Sequence, residues 1–459
     1  MFETIEIPIW AVWLAGALAV IGLLDRILMP TVRWYLRRRM NRAISVLNEK
    51  LQLKIQPFKL TKRRVMIDRL AYDPQVIEAI VEHSQTEKIP YPVVEQMAHK
   101  YAREIVPSFS VSGYFGVAIK IARWLSRSLY RVRLGYVDEK ALTGIDPNAT
   151  VIFVMNHRSN MDYILVTYLA ASRSALSYAV GEWARVWPLK PLISSLGAYF
   201  IRRKSRNQLY RRVLARYVQM ATEAGVTQAI FPEGGLSRDG KLKPAKLGLL
   251  SYMVADFDVE TSRDIYFVPV GVNYDRVLED RVLLASAKGE KTSRVKKFSA
   301  FLRFTARQIG LRVTGRFYRF GYASVSFGAP VSFKAFLKTH GHRKHDLMTK
   351  ALGKKLMAAV GKVVPILPVS LVARVLLTNQ KTPLSKQDVI SKCNVVLARL
   401  LAKGAFMHIP HKDFDYAVEV GLRMLVLRHV IIEVDGKYHV QTSEAALLGY
   451  YANAIVHLG

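Results

Sequence analysis

Residues 150–156 read TVIFVMN, an uninterrupted apolar run that ends in a polar residue and precedes a helical pattern from Met161. Similar apolar runs of strand type alternate with helical stretches between about residues 130 and 335: LGAYFI, QAIFPE, IYFVPVGVNY and ASVSFG. This alternation predicts an α/β sheet with helices packed on it. In open sheets of this type, ligands collect where strands end and loops begin. The unusual polar residues of this chain follow the predicted strands directly.

The first polar cluster follows the run at 150–155 and contains His157 and Asp162. An aspartate in the first turn of the following helix can accept one ring N–H of the histidine across the tight loop, which fixes the tautomer. The other ring nitrogen is then free to take a proton. Taken alone, such a pair is more often a structural hydrogen bond, so the neighbouring clusters decide its interpretation.

The second cluster is FPEGGLSR at 231–238, again directly after an apolar strand. The adjacent Gly234 and Gly235 expose backbone N–H groups, Ser237 adds a hydroxyl donor, and Arg238 offers the bidentate fork that suits phosphate. This composition is typical of an anion pocket.

A third segment, GAYFIRRK at 197–204, lies between these clusters in the chain. Strand alternation sends Arg202 and Arg203 to opposite faces, so one of them is directed toward the same pocket. A solvated basic edge strand is the alternative interpretation.

The amino-acid composition limits the number of domains, the kinds of binding partner and the cellular compartment of the protein. The 459 residues suggest about three domains, and 68 Lys and Arg against 35 Asp and Glu leave a net charge of +33, which indicates an anionic partner. Acidic disorder is excluded by the charge and by the 51% hydrophobic content. The single cysteine, Cys393, excludes an intramolecular disulfide and a cysteine-based zinc site, and favours a reducing compartment.

The N-terminal segment 7–24 contains no charge, and its 18 residues would span about 27 Å as a helix. We interpret it as an uncleaved membrane anchor, with a buried or interfacial helix as the alternative. Residues 26–64 contain twelve Lys or Arg and one acid, Glu49. The positive-inside rule then places the remainder of the chain on the cytoplasmic face of the cell inner or plasma membrane.

Basic, aromatic stretches at 118–134 and 288–319 predict contact with a lipid surface, the first of them as a membrane-surface helix. The C-terminal residues, with two helical stretches and a hairpin turn at Asp435-Gly436, could form a small winged-helix-like module. Residues 365–459 contain ten basic and seven acidic side chains. This balance lacks the charge that nucleic-acid binding requires, so no nucleic-acid partner is expected.

Four regions are expected: a membrane anchor with its basic flank (1–40), a helical domain (41–135), the α/β domain (136–335), and a small α+β C-terminal module of helices with a β-hairpin (336–459). No metal is expected, because His340, His342 and His345 lie among cationic residues. A phosphate-loop spacing at 235–241 is rejected, since Leu242 replaces the Mg²⁺-binding hydroxyl residue.

With these clusters in order, the chain resembles the glycerolipid acyltransferase superfamily, and within it the glycerol-3-phosphate and dihydroxyacetone-phosphate acyltransferase branch. The family's His-x4-Asp block matches at His157 and Asp162. Its second block matches at 197–203, its third, Phe-x-Glu-Gly-Gly-x-Ser-Arg, at 231–238, and its fourth at 268–270. The resemblance implies a glycerolipid acyltransferase-like sheet flanked by helices.

The reaction that this resemblance implies transfers a fatty acyl group from a thioester to the sn-1 hydroxyl of glycerol-3-phosphate, the first step of phospholipid synthesis. His157 would be the general base and Asp162 its orienting partner. Because the hydroxyl attacks the thioester directly, no acyl-enzyme and no cofactor are expected. Acyl-CoA or acyl carrier protein would be the co-substrate.

The resemblance also assigns the acceptor site. Arg202, Ser237 and Arg238 would hold the phosphate together with the glycines of the third block, and Glu233 would bind glycerol hydroxyls or an arginine. Leu236 departs from the branch, which often has an arginine there.

Two alternatives remain. One is a 1-acyl-glycerol-3-phosphate (lysophosphatidate) acyltransferase, and the other is a non-enzymatic membrane- or nucleic-acid-binding protein.

Overall fold

The computed structural model describes residues 8, 9, 13, 56–170, 175–181, 193–202, 205, 207–289, 319–340, 344–407 and 413–459. The chain divides into two compact units, Met1–Lys54 and Ile55–Gly459. Except for residues 8, 9 and 13, the segment interpreted as an anchor lies outside the described residues, as does most of the 288–319 stretch. Within the part that is described, no helix has the length and apolar character needed to cross a membrane. The anchor and the expected domain boundaries therefore stay predictions.

Helices are the most frequent element among the described residues of the second unit. In chain order, its described α-helices are α1 Pro57–Leu60, α2 Arg63–Ala71, α3 Pro74–Glu87, α4 Tyr91–Ile105, α5 Ile119–Leu129, α6 Glu139–Thr143, α7 Met161–Ala170, α8 Gln208–Glu223, α9 Gly248–Val254, α10 Asp280–Ala287, α11 Phe333–His340, α12 His345–Val363, α13 Pro368–Thr378, α14 Lys386–Ala402, α15 Phe414–Val426 and α16 Ala445–Ala452. A π-helix, Ser112–Ala118, precedes α5, and a final 3₁₀-helix, Asn453–Leu458, follows α16.

The described strands form two sheets. They are β1 Arg131–Val137, β2 Thr150–Met155, β3 Ser177–Gly181, β4 Tyr199–Ile201, β5 Gln228–Ile230, β6 Ile265–Tyr274, β7 Tyr322–Phe327, β8 Val331–Ser332, β9 Leu384–Ser385, β10 Ile431–Val434 and β11 Lys437–Val440. The larger sheet has the order β1-β7-β6-β2-β5-β3-β4, with β8 beside β6. The strands from β6 to β4 run parallel, whereas β7 pairs antiparallel with β6.

The centre of the sheet explains why β2 has no alternating polar residues. Every residue of β2 is buried, because β5 and β6 flank it and helices cover the sheet. One hydrophobic core joins Ile152, Val154 and Ile230 of the strands to the helices α2, α3, α4, α8 and α12. Since β2, β5 and β6 are parallel, the loops that follow them emerge at one edge of the sheet. The first and second polar clusters of the sequence are thereby brought to that edge.

The predicted α/β architecture is confirmed, and each of the five predicted apolar runs contains a strand. The prediction of a continuous surface helix over 118–134 is wrong in its extent. Helix α5 ends at Leu129, and the next basic residues form the edge strand β1, in which Arg131 pairs with Tyr322 of β7. Pairing with a strand almost two hundred residues later overrides the helical pattern of this short segment.

The C-terminal residues form helices α13 to α16 and a second, three-stranded sheet, β10-β11-β9. The hairpin lies where the sequence predicts it, and Asp435 and Gly436 both have positive φ (49° and 70°), as a type I′ turn requires. Asp275, just after β6, accepts the backbone N–H of Val369 in the first turn of α13 (3.0 Å). This contact attaches the C-terminal helices to the end of the central sheet.

Candidate active site

The His157–Asp162 pair forms as the spacing predicts. Nδ1 of His157 lies 2.9 Å from Oδ2 of Asp162, and both side chains are buried, with only 2% of His157 exposed. The end of β2 positions the histidine, and the first turn of α7 positions the aspartate. With Nδ1 donating to the carboxylate, Nε2 is the nitrogen that can accept a proton. The geometry fits a histidine base with an orienting carboxylate.

Asp162 is held by three further donors. Its Oδ2 accepts the backbone N–H groups of Arg158 (2.7 Å) and Ser159 (3.0 Å), and its Oδ1 accepts the hydroxyl of Tyr274 at the end of β6 (2.7 Å). Burial and the nearby Asp162 charge raise the pKa of Tyr274 well above its ordinary value, so the phenol remains a neutral donor. The carboxylate is therefore fixed in position by four hydrogen-bond donors, the His157 ring among them.

The loop after β5 holds the His157 backbone from both sides. Oε1 of Glu233 accepts the N–H of His157 (2.8 Å), and the N–H of Ser237 donates to the His157 carbonyl (2.9 Å). Oε2 of Glu233 accepts the N–H of Lys243 (3.1 Å). Burial raises the pKa of Glu233 to about 7, although these two N–H bonds and the Arg158 charge favour its ionised form. Among the described residues, the contacts of Glu233 are thus with loop backbone, and the predicted contact with glycerol or an arginine is untested.

Aromatic rings fix the plane of the His157 imidazole. Phe231 stacks on it, with ring centroids 4.1 Å apart and an interplanar angle of 29°. Tyr163 approaches it edge-on at 5.4 Å. An imidazole restrained by two rings and one carboxylate has little freedom to rotate, which keeps Nε2 in one direction.

The remaining residues of the third block have different environments. Gly234 has a positive φ of 69°, and a Cβ there would lie 2.6 Å from the side chain of Lys246. Gly235 beside it is half-buried. The Ser237 hydroxyl donates to the carbonyl of Lys241 (2.8 Å), so it is already engaged. Arg238 is exposed and makes no hydrogen bond or ion pair with the described residues, which leaves its guanidinium available to an anion.

Arg202 is placed apart from this group. It follows β4, and β3 and β5 separate that strand from β2. Its Nε and Nη2 donate to the two carboxylate oxygens of Glu104 (2.8 and 2.6 Å), and this pairing raises the pKa of the guanidinium above its ordinary value. The structure therefore shows Arg202 as one half of a bidentate ion pair, and its predicted contact with phosphate stays a prediction. Arg203 lies outside the described residues.

Sequence reasoning missed three residues that build the site. Asn156 bonds to both backbone groups of Val272 on β6 (2.9 and 2.7 Å). Glu279 accepts from the Ser159 hydroxyl (2.7 Å). Arg158 is buried, donates to the carbonyl of Gly240, and keeps two guanidinium nitrogens, Nε and Nη2, without a partner among the described residues. Asn156 and Arg158 are adjacent to His157 in the sequence, which was the available signal that they belong to the site. Their contacts could not be predicted, because their partners are distant in the sequence.

Neither a metal nor a thiol nucleophile is indicated by the described residues. No group of three or more His, Cys, Asp or Glu side chains in this part of the chain could hold a metal ion. Burial raises the pKa of the Cys393 thiol to about 12, which makes a thiolate scarce at neutral pH.

Two family models match this chain. One, described as Acyltransferase, covers residues 137–273, the range that contains His157, Asp162 and the third block. The other, described as Glycerol-3-phosphate acyltransferase C-terminal region, covers residues 311–458. Over residues 137–273, the chain is therefore similar to proteins with an acyltransferase domain. Within that class, its similarity is to the glycerol-3-phosphate acyltransferase branch, which confirms the resemblance predicted from the motif blocks.

Curated relatives agree with this placement. A protein of Pseudomonas entomophila (strain L48) named "Glycerol-3-phosphate acyltransferase" is 28% identical over 420 residues, covering 87% of this chain and 49% of the relative. A protein of Haemophilus ducreyi (strain 35000HP / ATCC 700724) with the same name is 26% identical over 421 residues, covering 87% of this chain and 50% of the relative. Another, from Pseudomonas aeruginosa (strain UCBPP-PA14), is 28% identical over 443 residues, covering 92% of this chain and 51% of the relative. The chain spans about half the length of these relatives.

Among solved structures, the 1-acyl-sn-glycerophosphate (LPA) acyltransferase, PlsC, from Thermotoga maritima is also similar. It matches with a TM-score of 0.31 and 16% identity, covering 64% of this chain and 96% of that chain.

Proposed function

We propose that this protein transfers a fatty acyl group from an acyl thioester to the sn-1 hydroxyl of glycerol-3-phosphate, the first step of phospholipid synthesis. The observation that carries the proposal is the buried His157–Asp162 pair (2.9 Å), whose loop is held by the Glu233–Ser237 segment at the carboxyl edge of the sheet. Both polar clusters of the matched acyltransferase range therefore meet at one place. Relatives over most of this chain carry the corresponding name.

In the proposed reaction, Nε2 of His157 accepts the proton of the glycerol hydroxyl as the oxygen attacks the thioester carbonyl carbon. The C–S bond then breaks, and the departing thiolate takes the proton from the imidazolium. Asp162 orients the ring throughout and stabilises its cationic form. The chain needs no cofactor for this step, since the thioester supplies the leaving group.

The same chemistry needs no covalent acyl-enzyme. Incubating the protein with a radiolabelled acyl donor and no acceptor is therefore expected to leave the chain unlabelled after denaturation. Stable label on the chain would show a covalent acyl-enzyme, and so a two-step mechanism instead of direct transfer.

The function is tested by incubating the purified protein with two acceptors, glycerol-3-phosphate and lysophosphatidate, each against an acyl-CoA and an acyl carrier protein thioester. Glycerol-3-phosphate is expected to be the preferred acceptor with at least one donor. Preference for lysophosphatidate would show that the protein catalyses the second acylation of glycerol-3-phosphate instead of the first. Salt-dependent DNA binding without any acyl transfer would favour a non-enzymatic protein.

Arg238 is the described residue of the third block best placed to bind the acceptor phosphate, because it is exposed and unengaged in that part of the chain. Arg238→Lys keeps the charge but loses the planar fork. We expect the KM for glycerol-3-phosphate to rise roughly tenfold, corresponding to one charge-assisted hydrogen bond of about 1.5 kcal/mol, while the donor KM changes little. Initial rates at varied acceptor and donor concentrations measure both constants.

Arg399→Lys is the matched control, because Arg399 is also exposed but lies on α14 in the C-terminal region. Its constants should equal those of the parent. An unchanged acceptor KM in Arg238→Lys would remove Arg238 from the phosphate site.

We also propose that the protein works at the cytoplasmic face of the cell membrane, where helix α5 contacts anionic lipid. Trp124 and Ile121 are exposed on this helix (63% and 49%), beside the exposed cations Lys120, Arg123 and Arg127. Helix α5 packs on α7, the helix that begins beside His157 and carries Asp162. Lipid contact there would hold the site close to the source of acyl chains.

Removing residues 1–40 is expected to weaken membrane binding without abolishing it, because each basic residue near an anionic surface contributes about 1 kcal/mol. Flotation with phosphatidylglycerol vesicles at low and high salt measures the residual binding, which should fall as salt rises. Adding Arg123→Glu and Arg127→Glu should weaken it further. Arg211→Glu with Arg212→Glu, two exposed residues of helix α8, is the control. Equal binding of both double variants would contradict a specific role for α5.

A further inference from the structure

One short C-terminal segment contacts all three loops that carry the candidate active site. These loops follow β2 (156–160), β5 (231–247) and β6 (275–279), and the segment is 450–453, at the junction of α16 and the final 3₁₀-helix. The loops have irregular backbone, so strand ladders do not fix their conformation. Their positions therefore depend on the side chains packed around them.

The first two loops meet on Tyr450. The Arg158 guanidinium, only 3% exposed, lies 4.9 Å from the centre of the Tyr450 ring and donates to the carbonyl of Gly240. Gly240 has a positive φ of 85°, and a Cβ there would lie 1.9 Å from the Tyr450 carbonyl oxygen. The loop can therefore reach this position only with glycine. Asn453 adds a second bond to the same loop, from Nδ2 to the carbonyl of Asp239 (2.9 Å).

The third loop is held by Tyr451. Its buried hydroxyl accepts the backbone N–H of Val277 (3.1 Å) and an N–H of Arg428 (2.7 Å), and it donates to the carboxylate of Asp280. Arg428 also bonds Asp280 directly (2.7 Å). Within this group, Tyr451 is the residue that bonds to the loop backbone, and it has no unused hydrogen-bonding capacity.

The third loop in turn supports the first. Glu279, beside Asp280, accepts the Ser159 hydroxyl (2.7 Å) and the backbone N–H of Asn160 (3.2 Å). Ser159 is one of the residues whose N–H groups hold Asp162. Two sets of hydrogen bonds, joined by the backbone of residues 277–280, therefore connect Tyr451 to the carboxylate that orients His157.

We infer that segment 450–453 positions the catalytic loops, and that Tyr451 is a positioning residue for acyl transfer although it lies in the C-terminal region. This inference rests on the proposed function. Losing the Tyr451 hydroxyl leaves the buried Val277 N–H without its partner and removes one of the donors to Asp280, which keeps its bond from Arg428, so the third loop must shift to satisfy the Val277 N–H. A shift of about 1 Å at the reacting groups can lower the rate by about 10²-fold.

The test is Tyr451→Phe, with Asn453→Ala as a second variant in case the first does not fold. We expect kcat to fall by roughly 10²-fold in Tyr451→Phe, with the donor and acceptor KM close to the parent values. The matched control is Ser370→Ala, which removes a buried hydrogen bond in the same C-terminal region, between Ser370 and Leu367 at the start of α13 (2.8 Å). Its kcat should equal that of the parent even if its melting temperature falls.

A second readout does not depend on catalysis. Amide hydrogen exchange, followed by mass spectrometry, should become faster in peptides covering 275–279 and 156–162 of Tyr451→Phe, and should stay unchanged there in Ser370→Ala. Parent-like kcat with parent-like exchange in both 450–453 variants would overturn the inference, as would equal kcat losses in Tyr451→Phe and Ser370→Ala. An inactive parent would reject the proposed function instead, and the exchange measurement would still decide the positioning role.

Discussion

Replacing His157 with asparagine is expected to lower kcat for acyl transfer by roughly 10²- to 10⁴-fold, the usual contribution of a general base. Asparagine is preferred to alanine because its amide can still donate to Asp162 near the position of Nδ1, and because it fills part of the space beneath Phe231. The loop should therefore stay intact while the proton acceptor, Nε2, is lost. Steady-state rates with saturating donor and acceptor measure the effect.

His345→Asn is the control, since His345 lies at the start of α12 and bonds Ser251 of α9 rather than any residue of the candidate site. Parent-like kcat in this control with a large loss in His157→Asn supports the assignment. A His157→Asn enzyme within about tenfold of the parent would contradict a general-base role.

The second large effect is expected from Asp162→Asn. The side-chain oxygen of asparagine can keep the three N–H donors now on Oδ2 only if its amide nitrogen faces Tyr274, whose hydroxyl must then rotate to accept. The loop can survive this exchange, but the negative charge that stabilises the imidazolium is gone. We expect kcat to fall by up to about 10⁴-fold, as in other histidine–carboxylate pairs.

Tyr274→Phe separates charge from hydrogen bonding. It removes one donor to Asp162 and keeps the carboxylate, so its loss of kcat should be much smaller than that of Asp162→Asn. Equal losses in the two variants, with unchanged melting temperatures, would show that the hydrogen-bond network rather than the charge governs the rate.

The main strands could be predicted because burial dictates their sequence. β2 and β6 are almost entirely apolar since both of their faces are covered, and such runs are distinctive. Strand β1 could not be predicted, because its arginines and apolar residues fit a surface helix equally well until β7 pairs with it. The strand order, which places β2 between β5 and β6, also depends on packing that no single segment encodes.

In the candidate site, too, local contacts could be predicted from the sequence and long-range contacts could not. The His157–Asp162 bond is local, so the spacing was sufficient to predict it. The contacts of Glu233 and Arg202 are not local. Glu233 bonds backbone groups 76 and 10 residues away, and Arg202 bonds Glu104, 98 residues away. Residue type alone suggested substrate contacts for both side chains, and only the fold supplies their protein partners.

The contacts between the C-terminal region and the active-site loops could not be predicted from the sequence, for a further reason. Tyr450 and Tyr451 occur in an apolar helical stretch, where tyrosines are usually core residues. Their role comes from the active-site loops that pack against them, and these loops are far away in the sequence. Val277, for example, precedes Tyr451 by 174 residues. The second matched range, 311–458, contains both tyrosines.

The most direct test of the central claim is product identification. The purified parent protein and the His157→Asn variant are incubated with glycerol-3-phosphate and a long-chain acyl thioester, and the product is analysed by mass spectrometry and by NMR of the glycerol carbons. We predict 1-acyl-glycerol-3-phosphate from the parent and a rate lower by roughly 10²-fold or more from the variant. Folded parent protein that forms no acylated glycerol-3-phosphate, or equal rates from the two proteins, would contradict the account.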